Sequence, residues 1–132
     1  MALVRQRRRL AVVDGLPPPP PAGRVARAAY ALALAHAFED RLARGLAGDL
    51  ADLARQTGLS RARITQLCDL LLLAPDLQEE VLFRFEGPGE RPLTERGLRG
   101  VVRVLDWAEQ RRLYRALLAR PWRYEVADET AT

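Results

Sequence analysis

The sequence predicts an all-α protein: a helical bundle of about five to six helices that contains a helix-turn-helix and carries an extended N-terminal arm. Segments of good helix formers alternate with loops rich in glycine and proline over the 132 residues. Within these segments apolar residues recur every three or four positions, which is the helical period. No alternating segment is long enough to predict a strand. At this length we expect one domain.

Residues 1–23 are predicted to form a basic, proline-rich extended arm. Arg5 and Arg7 to Arg9 precede the proline run Pro17 to Pro21, which favours polyproline II and cannot enter a helix interior. The arginines fit either a solvated tail or an arm that follows a DNA groove or backbone. The apolar stretch Leu10 to Val13 is too short for a signal peptide, and no run approaches the ~18 residues of a membrane span. We expect a cytoplasmic bacterial protein, associated with the nucleoid when bound.

The helical domain is predicted over residues 24–120. Its first helix, Arg24 to Arg44, is stopped by Gly45 and turns one face inward. The inward residues of this helix are Ala31, Leu34, Ala35, Phe38 and Leu42.

Further helices are predicted from their caps and stops. They run from the cap Asp49 through Gln56, from Arg61 after the cap Ser60 to Leu73, from Pro75 to about Phe85, from the cap Thr94 to Leu105, and from a capping box of Asp106 and Glu109 to Arg120. Glu86 to Pro92 is a loop, and Trp107 and Tyr114 are predicted core aromatics. Residues 121–132 form a tail, in which Trp122 and Tyr124 either fold back as a lid or contact a partner.

Residues 49–73 carry the pattern of a helix-turn-helix. A DNA-reading helix pair needs a sharp turn, a small residue where the helices touch, and apolar residues that fix their crossing. Gly58 suits the turn because a left-handed backbone costs glycine little. The predicted motif scaffold is Leu53, Ala54, Gly58, Leu59, Ile64 and Leu67.

The second helix of this pair is predicted to turn Ile64, Leu67, Cys68 and Leu71 inward and a polar face outward. The predicted base-reading residues are Arg61, Ala62, Thr65, Gln66 and Asp69. The predicted phosphate contacts are Ser60, Arg63, Arg55 and Arg99. Arginine pairs naturally with guanine and glutamine with adenine. The alternative is a solvated polar face on a protein-binding module, which Asp69 fits slightly better because a carboxylate repels phosphate.

The net charge of +4 favours a polyanionic partner, but it is unevenly distributed. Residues 1–44 sum to +5, residues 45–90 to −4, residues 91–124 to +6 and residues 125–132 to −3. Because the predicted reading helix lies in the acidic block, the attractive field has to come from its flanks.

No catalytic, cofactor-binding or metal site is predicted. His36 is the one histidine of the chain and is interpreted as structural, and the one cysteine, Cys68, as a core residue. No nucleophile is paired with a base, and no glycine-rich phosphate loop is present. We expect a protein that is not an enzyme and has no cofactor and no small-molecule substrate.

The segments "LARQTGLSRARITQLCDLLLLAPDLQEEVL" and "LTERGLRGVVRVLDWAEQRRLYRALL" resemble the helix-turn-helix domain of the ParB/KorB partition and repressor proteins. Arg99 and Gln110 fall on the Arg and Gln positions of that family. The usual Gly-His pair before the Arg reads Arg96-Gly97 here, and the loop Glu86 to Pro92 is longer. The family's arginine-rich nucleotide-binding boxes have no counterpart before residue 24. The resemblance therefore implies the DNA-binding part only, without CTP hydrolysis or clamp sliding.

Together these observations predict sequence-specific binding of double-stranded DNA by a regulator or accessory protein of a mobile element. One such module binds weakly alone, so a homodimer or a larger protein partner is expected, with the first long helix as the contact. The alternative is a protein-interaction adaptor or a non-catalytic subunit of a DNA-processing complex.

Overall fold

A computed structural model describes residues 15–17, 27–84, 86 and 92–120. The described chain is helical and contains no strand, which confirms the all-α prediction. Its elements are α1 (Arg27–Ala43), α2 (Leu50–Thr57), α3 (Arg61–Cys68), a 3₁₀ turn (Asp69–Leu72), α4 (Pro75–Phe83), α5 (Glu95–Val102) and α6 (Trp107–Ala119). Most of the predicted arm, most of the loop from Glu86 to Pro92 and the tail 121–132 lie outside the described residues. None of the described helices is long and apolar enough to cross a membrane.

Helix α1 is the centre of the bundle. It packs against α3, the 3₁₀ turn, α4 and α5, and its alanines let these neighbours approach closely. Its buried residues are Ala28, Ala31, Leu32, Leu34, Ala35 and Phe38. The partner contact expected on this helix stays a prediction. Leu16, from the described part of the arm, packs against the same core.

The helix predicted from Arg61 to Leu73 changes character at Asp69. The α-helix ends at Cys68, and the chain continues as a 3₁₀ turn. In a 3₁₀ helix, side chains three residues apart lie on one side. Leu67, Leu70 and Leu73 are spaced in this way, and each is at most 1% exposed. The tighter period therefore buries a leucine at every third position just before Pro75 begins α4.

Gln110 of α6 connects two bends of the chain, the one between the 3₁₀ turn and α4 and the one between α5 and α6. Its side chain is fully buried, and its Oε1 accepts a hydrogen bond from the Ala74 amide at 2.8 Å. Its Nε2 donates to the carbonyls of Leu72 at 3.0 Å and Val104 at 2.7 Å. A buried amide with all of these bonds made stabilises one arrangement of the chain, because any other leaves polar groups without partners.

Three predictions for the junction of α5 and α6 are wrong. The helix after Thr94 ends at Val102 instead of Leu105, and Trp107 is 49% exposed instead of buried. The predicted capping box is also absent: the Asp106 side chain makes no capping hydrogen bond, and the Glu109 side chain pairs with Arg112. Trp107 opens α6 at the edge of the core, where no neighbouring helix covers it. Tyr114, two turns further along α6, is buried as predicted.

Candidate nucleic-acid interface

The turn between α2 and α3 is held by glycine and by a buried threonine. Gly58 has φ 77° and ψ 5°, the left-handed conformation predicted for it, and its amide donates to the Ala54 carbonyl at 2.9 Å. The Thr57 hydroxyl donates to the Leu53 carbonyl at 2.7 Å and accepts from the Leu59 amide at 3.3 Å. Thr57 is fully buried. Sequence reasoning missed it, and its position directly before the turn glycine is the signal that could have found it.

The start of α2 is capped as predicted, with one addition. Asp49 Oδ1 accepts from the Asp52 amide at 2.8 Å, and Asp52 Oδ2 accepts from the Gly48 amide at 2.9 Å. The hydrogen bond from Gly48 lowers the pKa of the Asp52 carboxyl, and Arg55 lowers it further from 3.0 Å. The loop before α2 is thus tied to the first turn of the helix.

A glutamine fastens α2 to α1. Arg41 donates to Gln56 Oε1 through Nε at 3.2 Å and through a terminal nitrogen at 3.1 Å. Gln56 Nε2 donates in turn to the Leu46 carbonyl at 2.9 Å. Because α1 also packs on α3, the two helices of the motif are held against the same central helix.

The outer face of α3 is open to solvent. Arg61, Ala62, Thr65 and Gln66 are all exposed, whereas the inward Ile64 and Leu67 are 0% and 1% exposed. These four residues therefore share the face that the sequence predicted. Asp69, the fifth residue of the predicted set, is also exposed but lies in the 3₁₀ turn beyond the α-helix.

Ser60 begins α3 as its N-cap. Its hydroxyl oxygen accepts a hydrogen bond from the Arg63 amide at 3.1 Å, and its backbone is extended. The Ser60 side chain is half-buried. The predicted phosphate contact of Ser60 therefore has to share this oxygen with the cap, or to use the hydroxyl hydrogen.

Arg63, which the sequence predicts to contact a phosphate, is paired with a carboxylate of the same chain. Its two terminal nitrogens donate to the two oxygens of Glu95 on α5, at 2.5 and 2.7 Å. One of these nitrogens also donates to Gln66 Oε1 at 3.3 Å. The hydrogen bonds to Glu95 raise the pKa of Arg63. Arg63 therefore joins α3 to α5, and its contact with a phosphate, which stays a prediction, requires this pair to open.

The other predicted phosphate arginines also hold carboxylates. Arg99 lies 3.5 Å from Glu95 Oε2, and Arg55 lies 3.0 Å from Asp52 Oδ1. Spacing along the sequence predicts which face of its own helix an arginine occupies. It does not show that an acid from the same or a distant helix already pairs with that arginine.

A small group of large apolar side chains is exposed beside the corner that Gln110 holds. Leu72 is 48%, Leu105 74% and Trp107 49% exposed. Gln110 binds the carbonyls of Leu72 and Val104, so the chain segments that carry these side chains lie close together.

The surroundings of His36 and Cys68, the histidine and the cysteine of the chain, fit structural roles. His36 Nε2 is 2.7 Å from Gln78 Oε1, and Gln78 Nε2 donates to the carbonyls of Leu71 and Leu73. Burial raises the pKa of the Cys68 thiol, which disfavours the reactive thiolate. Within the described ranges, no three His, Cys, Asp or Glu side chains lie close enough together to hold a metal ion.

The chain matches no family model, and no curated protein or solved structure is significantly similar to it. The likeness to the ParB/KorB domain therefore rests on the residues quoted above.

Proposed function

We propose that this protein binds double-stranded DNA sequence-specifically by placing α3 in the major groove. The observation that carries the proposal is the division of α3 into two faces. Ile64 and Leu67 are buried, while Arg61, Thr65 and Gln66 are exposed on a helix whose turn is locked at Gly58. A groove-reading helix needs an outer face that its own fold leaves uncovered, on a rigid support.

The chemistry of this face suits base edges. The Arg61 guanidinium can donate to both acceptors of guanine, and the Gln66 amide can pair with adenine. Ala62 and the methyl group of Thr65 can contact the methyl group of thymine. The contact between Arg63 and Gln66 limits the rotamers of the glutamine, which reduces the entropy lost when it binds a base.

The resemblance to the ParB/KorB domain supports a role as a regulator or accessory protein of a mobile element, without catalysis. A single reading helix binds weakly, so the proposal includes a second copy or a larger protein that places two modules on neighbouring half-sites.

Selection of bound sequences from random duplex DNA tests the proposal. We expect the full chain to enrich a defined motif, and a palindrome would indicate two-fold assembly. Arg61→Ala and Gln66→Ala should each cost about 1–3 kcal/mol of binding to the enriched duplex and little on a scrambled one. Arg115→Ala, an exposed arginine on α6, serves as the control and should keep the sequence preference. Equal binding of the enriched duplex by the parent and both α3 variants would contradict the proposal.

A protein-interaction adaptor is the second candidate. It is favoured by the exposure of Leu72, Leu105 and Trp107, large side chains that make the surface near Gln110 apolar, because Gln110 holds the carbonyls of Leu72 and Val104. Salt separates the two functions. Affinity for DNA falls with a log-log slope of roughly −0.9 per phosphate contacted. Docking through the apolar surface should depend little on salt.

A further inference from the structure

The arginines of the described chain differ in whether they hold a carboxylate. Seven form ion pairs with carboxylates: Arg44, Arg55, Arg63, Arg84, Arg99, Arg111 and Arg112. Arg27, Arg61, Arg96, Arg103 and Arg115 are exposed and make no ion pair among the described residues. The arginines predicted to contact phosphate are among the seven that form ion pairs, and an arginine that already holds a carboxylate has to break that pair before it can bind a phosphate.

Two of the unpaired arginines, Arg96 inside α5 and Arg103 at its C-cap, lie on the outer face of this helix. Leu98, Val101 and Val102 turn the other face of this helix into the core. Arg96 and Arg103 are seven residues apart, which is close to two helical turns, so both point away from the core on one side. Gly100 lies between them on the same side, and no atom lies within 4 Å of where its Cβ would be. Nothing in the described structure covers this face.

Helix α5 is attached to the reading helix through a continuous chain of polar contacts. Gln66 on the outer face of α3 accepts from Arg63, Arg63 donates to Glu95, and Glu95 lies 3.5 Å from Arg99. The side of α5 that carries Glu95 and Arg99 therefore faces α3, and Arg96 and Arg103 lie next to that side around the helix. A duplex whose major groove holds α3 has a phosphate backbone on each side of this helix, and one of the two backbones passes on the side where α5 lies.

The local charge favours a polyanion. The one acid of α5, Glu95, is occupied by Arg63 and Arg99, so its charge is neutralised within the fold. Arg96 and Arg103 keep their charge exposed to solvent. This supplies the positive flank that the reading helix lacks, since residues 45–90 carry a net charge of −4.

We infer that Arg96 and Arg103 on α5, and not the paired Arg63, Arg55 and Arg99, form the surface that grips the phosphate backbone of duplex DNA beside the reading helix. This inference rests on the proposed function, because the partner is the same duplex that α3 reads. The phosphate contacts orient the duplex and carry no sequence information.

The test is the double variant Arg96→Gln/Arg103→Gln of the full chain, titrated with the enriched duplex and a scrambled duplex from low to high salt. Two lost phosphate contacts should reduce the salt slope by about 1.8 and weaken binding to both duplexes by roughly 10- to 60-fold at about 0.1 M salt. The ratio of the two affinities should stay unchanged.

The control is Arg27→Gln/Arg115→Gln, which removes the same charge from two exposed, unpaired arginines elsewhere. Arg115 lies one turn after Arg111, whose partner is Asp76 on the acidic helix α4. The control should keep the slope of the parent within about 0.5, well below the loss of 1.8 expected for two contacts. A matching loss in control and test variants would overturn the inference, because net charge alone would then explain it.

Two outcomes separate this inference from the proposed function. If the parent binds DNA, Arg61→Ala removes its sequence preference and the α5 variant keeps the full slope, the inference is wrong and the proposed function stands. If the parent binds neither duplex, both are overturned. A third outcome is that a protein partner binds the parent independently of salt and does not bind the α5 variant. This face would then be a protein-docking surface, and the inference would be overturned as well.

Discussion

Replacing Gly58 with alanine should destabilise the protein by about 1–2 kcal/mol. Gly58 has φ 77°, and an L-residue with a Cβ pays roughly this amount in the left-handed region. The hydrogen bond from the Gly58 amide to Ala54 closes the turn, so the backbone cannot relax to negative φ without losing it. Urea unfolding of both proteins, followed by circular dichroism, measures the difference. Gly58→Asn should cost less, since asparagine tolerates this conformation better.

Gly100→Ala is the matched control for the same change of side chain. Gly100 lies inside α5, and a Cβ there would meet no atom within 4 Å. Alanine at an open helical position should stabilise the fold by about 0.5–1 kcal/mol. The two glycines should therefore respond with opposite signs. If Gly58→Ala were as stable as the parent, the left-handed turn that sets the angle between α2 and α3 would be the wrong description.

Three further predictions follow from the polar contacts. Gln110→Leu leaves buried polar groups without partners and should lower the free energy of unfolding, measured in urea, by about 2–4 kcal/mol. Gln78→Leu, nearer the surface, should lower it by under about 1 kcal/mol. Equal losses would contradict the role given to the buried amide. Glu95→Gln should release Arg63 and steepen the salt slope of DNA binding by about 0.9 per freed arginine; an unchanged slope would show that the pair does not compete with phosphate. The lowered pKa of Asp52 means that its ionised form is favoured by folding, so its contribution to stability is full above pH about 4 and is lost as the pH falls through the lowered pKa. Asp52→Asn should flatten the acid limb of stability against pH, and an unaltered limb would refute this assignment.

The features that sequence predicted well are local ones. Asp49, Ser60 and Thr94 each accept a hydrogen bond from the amide of the third residue of the helix they cap, because the cap and the donor amide lie within one turn. Gly58 adopts the conformation that its position predicted. The exposure of Arg61 and Gln66 follows from the helical period once Ile64 is assigned to the core.

The features that sequence missed depend on contacts between distant segments. Arg63 and Glu95 are 32 residues apart, and no local pattern indicates that their helices meet at these positions. Trp107 has the spacing of an inward residue, yet it opens its helix beyond the edge of the core. The 3₁₀ turn packs against α1 and α5, so it too is set among segments that are distant in the sequence.

On the proposed function, the short length of α3 limits the length of the DNA sequence that one copy of this protein can recognise. Eight residues make a helix of about 12 Å, which passes about three to four base pairs at roughly 3.4 Å each. A four-letter word recurs by chance at roughly one in 256 positions, against the order of 10⁶ or more positions of a genome. On the proposed function, the binding site is therefore expected to consist of direct or inverted repeats of a short sequence. The number of copies of the protein that assemble on these repeats then sets how rare a site can be recognised.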